Sequence, residues 1–241
     1  MIVTLDDFRK AMDKVGEMGW IKTHRGGPTG VGKTLEDVLG IAENNFSEPD
    51  FGVYELKAAR DNDLSMLTLF TKTPQPSKIN VKLLEKFGYL STTYEYKKKV
   101  LHSTLSANGP TRIADTSRTL EIACHEDKIS IVSDGCAEEA YWDISALRQA
   151  FNRKYQHTLV YVKARSRGRG KDEEFQYYVA YELSGFDYDS LIELLRHGIL
   201  KIDIRIGQYP DGRTHDHGTG FRIQPQYFDD LFLIKEKIWE L

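Results

Sequence analysis

The chain has 241 residues, of which 40% are hydrophobic and 29% are charged, and its formal charge at pH 7 is −3. This composition excludes a disordered or fibrous protein, and the length allows one large domain or two small ones. The small negative charge excludes a bulk attraction to polyanions, so any binding of nucleic acid requires a local basic face.

The N-terminal half alternates between helical and strand-like patterns. A capping box at Thr4 and Asp7 predicts a first helix that ends near Gly16 or Gly19. A second helix is predicted from Thr34, and its apolar stripe leaves Glu36 on another face. Strands are predicted at residues 51–58 and 65–72, joined by a hairpin turn at residues 60–63, and a short helix is predicted at residues 79–87.

The C-terminal half begins with a basic, aromatic connection at residues 94–99. Beyond it we expect two strand pairs, two helices, two further strands and a C-terminal helix. The pairs lie at 119–123 with 128–132 and at 158–164 with 175–183, the helices at 145–155 and 190–196, and the strands at 200–206 and 221–223. No internal repeat and no clear linker interrupts this order, which predicts a mixed α/β (α+β) fold of one domain with room for two lobes around a cleft.

Two general properties bear on the location of the protein. The longest apolar runs are far shorter than the roughly 18 residues that a helix needs to cross a bilayer. The opening sequence, MIVTLDDFRK, has no basic region followed by an apolar one. We therefore expect a cytoplasmic protein without a membrane contact, in which Cys124 and Cys136 are reduced core thiols.

The segment from Gly27 to Thr34 matches the nucleotide-binding pattern G-x4-G-K-[ST] and leads into a predicted helix. Such a loop also requires a buried apolar strand before it and an apolar strand that ends in Asp. Residues 19–25 are largely polar, and the best apolar strands end in Lys or Thr. This context favours a flexible loop that covers the N-terminus of a helix. A P-loop NTPase is the alternative.

A second motif, P-D-x4-E-x-K, carries Asp50, Glu55 and Lys57. Glu55 and Lys57 leave the same face of a predicted strand, with Cα atoms about 6.6 Å apart, and Asp50 can bend toward that face. Carboxylates that bind a hard cation beside a lysine that positions water suit magnesium-assisted phosphodiester hydrolysis. E-x-K also occurs at residues 95–97, in a charged connection without a suitably placed Asp upstream, and at residues 126–128, on a hairpin tip. A surface ion-pair ladder is an equally good interpretation of the spacing.

A third cluster combines Arg205, His215, Asp216, His217 and Arg222. Arginine reads guanine O6 and N7 with two hydrogen bonds, and histidine both donates and accepts, so these side chains suit the edges of bases. A zinc site would need a further soft ligand, and a structural loop is the simpler alternative. A basic run of Arg165, Arg167, Arg169 and Lys171 is typical of a solvated loop or of a phosphate-binding patch.

Together the segments GWIKTHRGGPTGVGKTLEDVL, EPDFGVYELKAA, LTLFTKTP, KIDIRIG and THDHGTGFRI resemble the MvaI/BcnI family of type II restriction endonucleases, which are related to the mismatch-repair nicking enzyme MutH. The resemblance covers nearly the whole chain, in order. It implies a PD-(D/E)xK nuclease fold, a mixed sheet flanked by helices, with a catalytic lobe at about residues 1–90 and a recognition lobe at about residues 91–241 around a DNA cleft.

The same resemblance implies roles for individual residues. Asp50 and Glu55 would bind Mg²⁺, for which Mn²⁺ could substitute, and Lys57 would orient the attacking water. Glu36 would support the metal or the lysine, and Lys72 would contact a phosphate. The residues expected to read bases are Arg205, His215, Asp216, His217 and Arg222.

The family resemblance further implies a monomer that binds double-stranded DNA and nicks each strand in turn at a CC-N-GG-type site, CCWGG or CCSGG. Its genetic partner, though not a physical one, would be a cognate DNA methyltransferase. A MutH-like nicking endonuclease and a DNA-binding module without catalysis are the alternatives.

Overall fold

The structure is a computed structural model that describes residues 2–41, 49–61, 65–92, 98–133, 140–155 and 158–241. The chain forms two compact units. Unit 1 comprises Met1–Ser65, Lys154–Asp187 and Phe228–Leu241, and unit 2 comprises Met66–Arg153 and Tyr188–Tyr227. Each unit thus draws on both halves of the sequence, and the assignment of catalysis and recognition to separate lobes stays a prediction.

Helices and strands follow one another along both units. In chain order they are α1 (Leu5–Glu17), β1 (Ile21–Lys22), α2 (Gly30–Leu39), β2 (Tyr54–Arg60), β3 (Leu67–Thr71), α3 (Ile79–Phe87), β4 (Tyr89–Ser91), β5 (Lys98–Leu105), β6 (Thr111–Arg112), β7 (Thr119–Cys124), β8 (Lys128–Val132), β9 (Ala140–Asp143), α4 (Ile144–Lys154), β10 (Thr158–Arg167), β11 (Glu174–Phe186), α5 (Tyr188–Arg196), β12 (Lys201–Gln208), β13 (Thr214–Asp216), β14 (Gly220–Ile223) and β15 (Phe232–Glu240). Short 3-10 helices occupy Gly170–Asp172, Pro225–Tyr227 and Asp229–Leu231.

Unit 1 is built on one mixed sheet. Its described strands run in the order β1-β11-β10-β2, and β15 also pairs with β11. β2 and β10 are parallel, whereas the other pairs are antiparallel. The two N-terminal helices bury Phe8, Met12 and Leu35 against apolar side chains of the central strands, including Val160 and Val162. This core fixes the strand that carries Glu55 and Lys57.

Unit 2 contains two sheets. Its described residues give one sheet in the order β3-β14-β12-β5-β4, with β13 paired to β12, and a second sheet in the order β6-β7-β8-β9. The aromatic core of this unit centres on Phe221, whose ring stacks on Phe70 at 4.5 Å and meets Trp142 edge-on at 5.6 Å. The strands that carry the expected base-reading residues are therefore anchored in a packed interior.

Much of the predicted secondary structure is confirmed. The side chain of Thr4 caps α1 in a capping box with Asp7, and α3 has the predicted bounds. The two predicted strand pairs form as β7 with β8 and as β10 with β11. A mixed α/β fold is therefore correct.

Three predictions of local structure are wrong. β2 pairs with β10 and β3 with β14, so these strands do not form a hairpin about residues 60–63. The predicted C-terminal helix is β15, because β11 offers an unpaired edge and pairing there outweighs the local pattern. β5 begins at Lys98, so Lys98 and Lys99 are strand residues. The basic composition of residues 94–99 had indicated a connection.

Within the described residues, no helix is both long and apolar enough to cross a bilayer. Cys124 is a free, partly buried thiol, and burial raises its pKa. Cys136 and the E-x-K pair at residues 95–97 lie outside the described residues.

Candidate active site

β2 carries Glu55 and Lys57 on one face of the unit 1 sheet. Its parallel register with β10 places Glu55 opposite Leu159 and Lys57 opposite Tyr161. The Lys57 Nζ lies 3.7 Å from Glu55 Oε1, and the two side chains are only 25% and 20% exposed. This opposite-charge pair is thus partly withdrawn from water, which distinguishes it from a freely solvated ladder.

A tight turn returns Asp50 to the start of the same strand. The main chains of Phe51 and Tyr54 exchange hydrogen bonds of 3.2 and 2.8 Å. Gly52 lies in this turn at φ 53, and a Cβ there would meet the carbonyl oxygen of Val3 at 2.3 Å, so glycine is required. The buried ring of Phe51 stacks on Phe8 at 5.4 Å and holds the turn against α1.

The result of this turn is a direct contact between Asp50 and β2. Asp50 Oδ2 accepts a hydrogen bond of 2.7 Å from the main-chain N–H of Leu56. The carboxylate therefore lies beside the peptide that follows Glu55. The structure brings together Asp50, Glu55 and Lys57, the three residues that the P-D-x4-E-x-K motif singled out.

The other two residues expected in catalysis, Glu36 and Lys72, do not lie on β2. Glu36 is partly buried on α2, a helix that packs against β2. Lys72 belongs to unit 2, directly after β3. Its main-chain N–H donates to the carbonyl of Thr219 at 3.0 Å, and its carbonyl accepts from the indole of Trp142 at 2.9 Å. Its main chain is thus held by the core of unit 2.

The donor set near β2 suits magnesium better than zinc. No group of three or more His, Cys, Asp and Glu side chains able to hold a metal ion occurs in the described part of the chain. Asp50 and Glu55 supply two carboxylates, and Mg²⁺ is commonly held by one or two carboxylates together with substrate phosphates and water. A structural zinc site needs four closely spaced ligands.

The segment that resembles a P-loop has another structural role. α2 begins at Gly30, inside the motif, and β1 before it is a two-residue strand on the side of β11. A Cβ at Gly30 would meet the carbonyl oxygen of Arg25 at 2.2 Å. The Arg60 guanidinium donates to the carbonyls of Gly27 and Pro28 at 3.0 Å each. The loop therefore lies against the end of β2.

The residues expected to read bases gather in unit 2. Arg205 lies on β12, His215 and Asp216 on β13, and Arg222 on β14, and β12 pairs with both of the other strands. His217 follows β13 directly, and its main-chain N–H donates to the carbonyl of Arg205 at 3.0 Å. Residues far apart in sequence thus form one polar group on this sheet.

Asp216 is engaged within the protein. Its Oδ2 accepts from Asn80 Nδ2 at 2.7 Å and from Thr73 Oγ1 at 3.3 Å. Its Oδ1 accepts from the main-chain N–H of Gly218 at 2.8 Å. These bonds fix the loop after β13, and sequence reasoning missed the contribution of Asn80 because it lies 136 residues away.

His215 and His217 are in direct contact, with Nδ1 of the first 3.1 Å from Nε2 of the second. Burial is the largest cause that lowers the pKa of His217, followed by the nearby His215 and Lys98. One neutral imidazole can donate to the other, so the pair is compatible with both donation to and acceptance from a base edge.

A model of the MvaI/BcnI restriction endonuclease family matches residues 9–232. The chain belongs to this family. The solved structure of restriction endonuclease MvaI with cognate DNA substrate is 30% identical, with a TM-score of 0.81 and 99% of each chain covered. MvaI in the absence of DNA is 30% identical as well, with a TM-score of 0.63, and the match covers 99% of this chain and 98% of that one. A comparison with curated proteins gives no match.

As a member of the MvaI/BcnI family, the protein is a restriction endonuclease that hydrolyses DNA phosphodiester bonds, and its mixed α/β fold resembles that of MvaI. The resemblance noted in the sequence is thereby confirmed. Restriction endonucleases are typically metal-dependent, in keeping with the paired carboxylates near β2.

Sequence reasoning missed two further features of this family member. One is the contact of Arg60 with the glycine-rich loop, which also involves Glu173, 113 residues later. The other is the hydrogen bond from Thr104 to Asp203, 99 residues later. Both depend on contacts between distant segments, for which a single sequence carries no signal.

Proposed function

We propose that the protein is a magnesium-dependent type II restriction endonuclease that cleaves double-stranded DNA at a short CC-N-GG-type site. The observation that carries the proposal is the hydrogen bond from the Leu56 N–H to Asp50, because it holds this carboxylate beside Glu55 and Lys57. Family membership supports the DNA hydrolysis, and the solved complex of MvaI with cognate DNA supports the recognition of a defined site.

In this proposal Asp50 and Glu55 hold Mg²⁺, and Lys57 positions the attacking water. A bound Mg²⁺ would polarise the scissile phosphate and stabilise the negative charge that develops on it. The ammonium of Lys57, 3.7 Å from the Glu55 carboxylate, donates to water and offsets charge on the phosphate. Glu36 on α2 supports the lysine or the metal, and Lys72 contributes a further phosphate contact.

Recognition is assigned to the polar group of unit 2. Arg205 and Arg222 offer guanidinium donors to guanine O6 and N7, and His215, Asp216 and His217 complete the contacts to base edges. The basic side chains at the end of β10 and at the tip that follows it contact phosphates without regard to sequence. They are Arg165, Arg167, Arg169 and Lys171. The central base pair, and thus the choice between CCWGG and CCSGG, is left open.

A plasmid digestion tests the proposal. We expect Mg²⁺ to convert supercoiled plasmid first to nicked and then to linear DNA, because a monomer cuts one strand at a time. The ends should map to CC-N-GG sites, and EDTA should prevent cleavage. Lys57→Ala protein, purified in the same way, controls for contaminating nuclease.

The alternatives give different products. Plasmid that stays supercoiled with Mg²⁺, although the protein binds it, would indicate a DNA-binding module without catalysis and would contradict the proposal. Nicks that arise only at hemimethylated sites would instead indicate a MutH-like enzyme.

A further inference from the structure

Asp203 is a buried carboxylate at the centre of the recognition strands. Its side chain is 3% exposed and lies on β12 between β5 and β14. Oδ1 accepts from Thr104 Oγ1 at 2.7 Å. Oδ2 accepts from Arg205 Nε at 2.9 Å and from Arg222 Nη1 at 2.7 Å. One acid thus joins three strands and both of the arginines proposed to read bases.

The local backbone favours this arrangement. Asp203 is the strand partner of Thr104 on β5 and of Gly220 on β14. A Cβ at Gly220 would lie 3.3 Å from Cγ of Arg222, so the glycine leaves room for that side chain to extend across it toward Asp203. Arg222 also donates through Nη2 to the carbonyl of Met66 at 2.8 Å.

The carboxylate is ionised in this environment. Burial by itself would raise the pKa of Asp203, but the hydrogen bonds from Arg205, Thr104 and Arg222 outweigh burial and lower the pKa. A buried charge requires partners of this kind, and in return it fixes the orientation of the groups that it binds.

The two arginines are held in different ways. Arg205 is 43% exposed and uses Nε for Asp203, so the bond aligns its guanidinium through the inner nitrogen. The terminal nitrogens are the pair that matches guanine O6 and N7. Arg222 is 23% exposed and donates one N–H of each terminal nitrogen within the protein, so that only the second N–H of each can face a base.

We propose that Asp203 is a positioning residue for base recognition: its carboxylate fixes the guanidinium plane of Arg205 before DNA binds, with Arg222 as a second clamp on the same oxygen. The inference rests on the proposed function, since it requires that Arg205 reads a guanine. Asp203 itself does not read a base, because its side chain is buried and three donors occupy its oxygens.

The test compares Asp203→Asn with wild type on two duplexes, one with the cognate site and one in which a recognised guanine is replaced by 7-deazaguanine, which lacks the N7 acceptor. Asparagine keeps the shape but removes the charge that binds the two guanidinium groups. We expect kcat/KM on the cognate duplex, divided by kcat/KM on the substituted duplex, to fall on the order of tenfold, as for loss of one hydrogen bond from a charged group to the guanine N7. The salt dependence of DNA binding should not change.

A matched control separates positioning from loss of stability. Asp229 in unit 1 is a carboxylate, 11% exposed, that binds Lys163 at 3.0 Å and also Lys235. Asp229→Asn should lower the midpoint of thermal unfolding. The ratio of kcat/KM on the cognate and substituted duplexes should keep its wild-type value. If Asp203→Asn does not fold, Thr104→Val provides the second variant, because it removes one bond to Asp203 and keeps the charge; we expect a fall of a few-fold in the ratio.

A wild-type ratio in folded Asp203→Asn would overturn the inference, and so would a wild-type ratio in Thr104→Val when Asp203→Asn does not fold. Arg205→Ala separates the positioning role of Asp203 from the proposed base recognition by Arg205. If Arg205→Ala lowers the ratio and Asp203→Asn does not, only the positioning role fails. If Arg205→Ala leaves the ratio unchanged, the proposed recognition itself fails.

Discussion

The Arg60 guanidinium and the Glu173 carboxylate form a two-point ion pair at the end of the strand that carries Lys57. The Nε–Oε1 and Nη2–Oε2 distances are 2.6 and 2.8 Å, and both side chains are 11% exposed. The same guanidinium lies over the ring of Phe175 at 5.1 Å and donates to the carbonyls of Gly27 and Pro28. The pair therefore connects β2, the segment before β11 and the glycine-rich loop before α2.

We expect Glu173→Gln to destabilise the protein by about 3 kcal/mol, because the substitution removes the negative charge from a buried ion pair. Glu174→Gln is the matched control. Glu174 pairs with Arg167 at 2.6 Å, but these side chains are 32% and 55% exposed, so its loss should cost less than about 1 kcal/mol. Chemical denaturation of both variants gives the difference, and equal losses would contradict the assigned role of the buried pair.

We expect Lys57→Ala and Asp50→Asn to reduce the rate of DNA cleavage by on the order of 10²-fold or more, while DNA binding in the absence of divalent ions is retained. Asparagine at position 50 keeps an acceptor for the Leu56 N–H, so the turn should persist while the charge is lost. Single-turnover cleavage and a gel-shift assay measure the two properties. Full cleavage by either variant would remove that residue from the site.

The grouping of Asp50, Glu55 and Lys57 was predictable because these residues are neighbours in sequence. Strand geometry alone places Glu55 and Lys57 on one face, and the short interval to Asp50 allows a turn to bring that residue back. Periodicity likewise identified α1 and the β10–β11 pair. In each case the signal lies within a few residues of the feature.

The missed features depend on distant parts of the chain. The segment that forms β15 carries apolar residues at spacings that fit a helix. It is a strand because it pairs with the edge of β11. Residues 27–34 match every position of the P-loop sequence pattern. The hydrogen bonds from Arg60 to the carbonyls of this loop, however, arise from the tertiary fold. Two of the three side-chain partners of Asp203, Thr104 and Arg222, come from β5 and β14, which no local pattern connects.

We expect Arg205→Ala and the double variant Arg169→Ala/Lys171→Ala to weaken DNA binding in different ways. Loss of a base-reading arginine should cost roughly 1 to 3 kcal/mol on the cognate site and relax the preference at one base. Arg169 and Lys171 are exposed at the tip between β10 and β11. Their loss should weaken binding equally on all sequences and reduce the salt slope by about one per phosphate contact.

Binding titrations at several salt concentrations, on the cognate duplex and on a duplex without the site, distinguish these outcomes. A sequence-dependent loss from the tip variant would place that surface among the base-reading elements. A uniform loss from Arg205→Ala would reduce its role to a phosphate contact.

We expect the free energy of unfolding to fall as the pH is lowered through about 6.5, in part because of two histidines in unit 2. Burial is the largest cause that lowers the pKa of His102, followed by the charges of Arg205, His217 and Lys98, while Asp203 acts in the opposite direction. Burial also lowers the pKa of His217, as do His215 and Lys98, against the effect of Asp216.

The sign of this dependence follows from linkage. The unfolded chain binds protons to these imidazoles at a pH at which the folded protein still keeps them neutral, so acidification favours unfolding. Stability from this source is complete above the unfolded pKa and declines as the pH falls toward the lower, folded pKa. Denaturation midpoints at several pH values between 5 and 8 should show a smaller slope for His102→Gln than for wild type. His125→Gln, at an exposed turn between β7 and β8, is the control; an equal change in slope from both variants would show that burial beside Arg205 and Lys98 is not the cause.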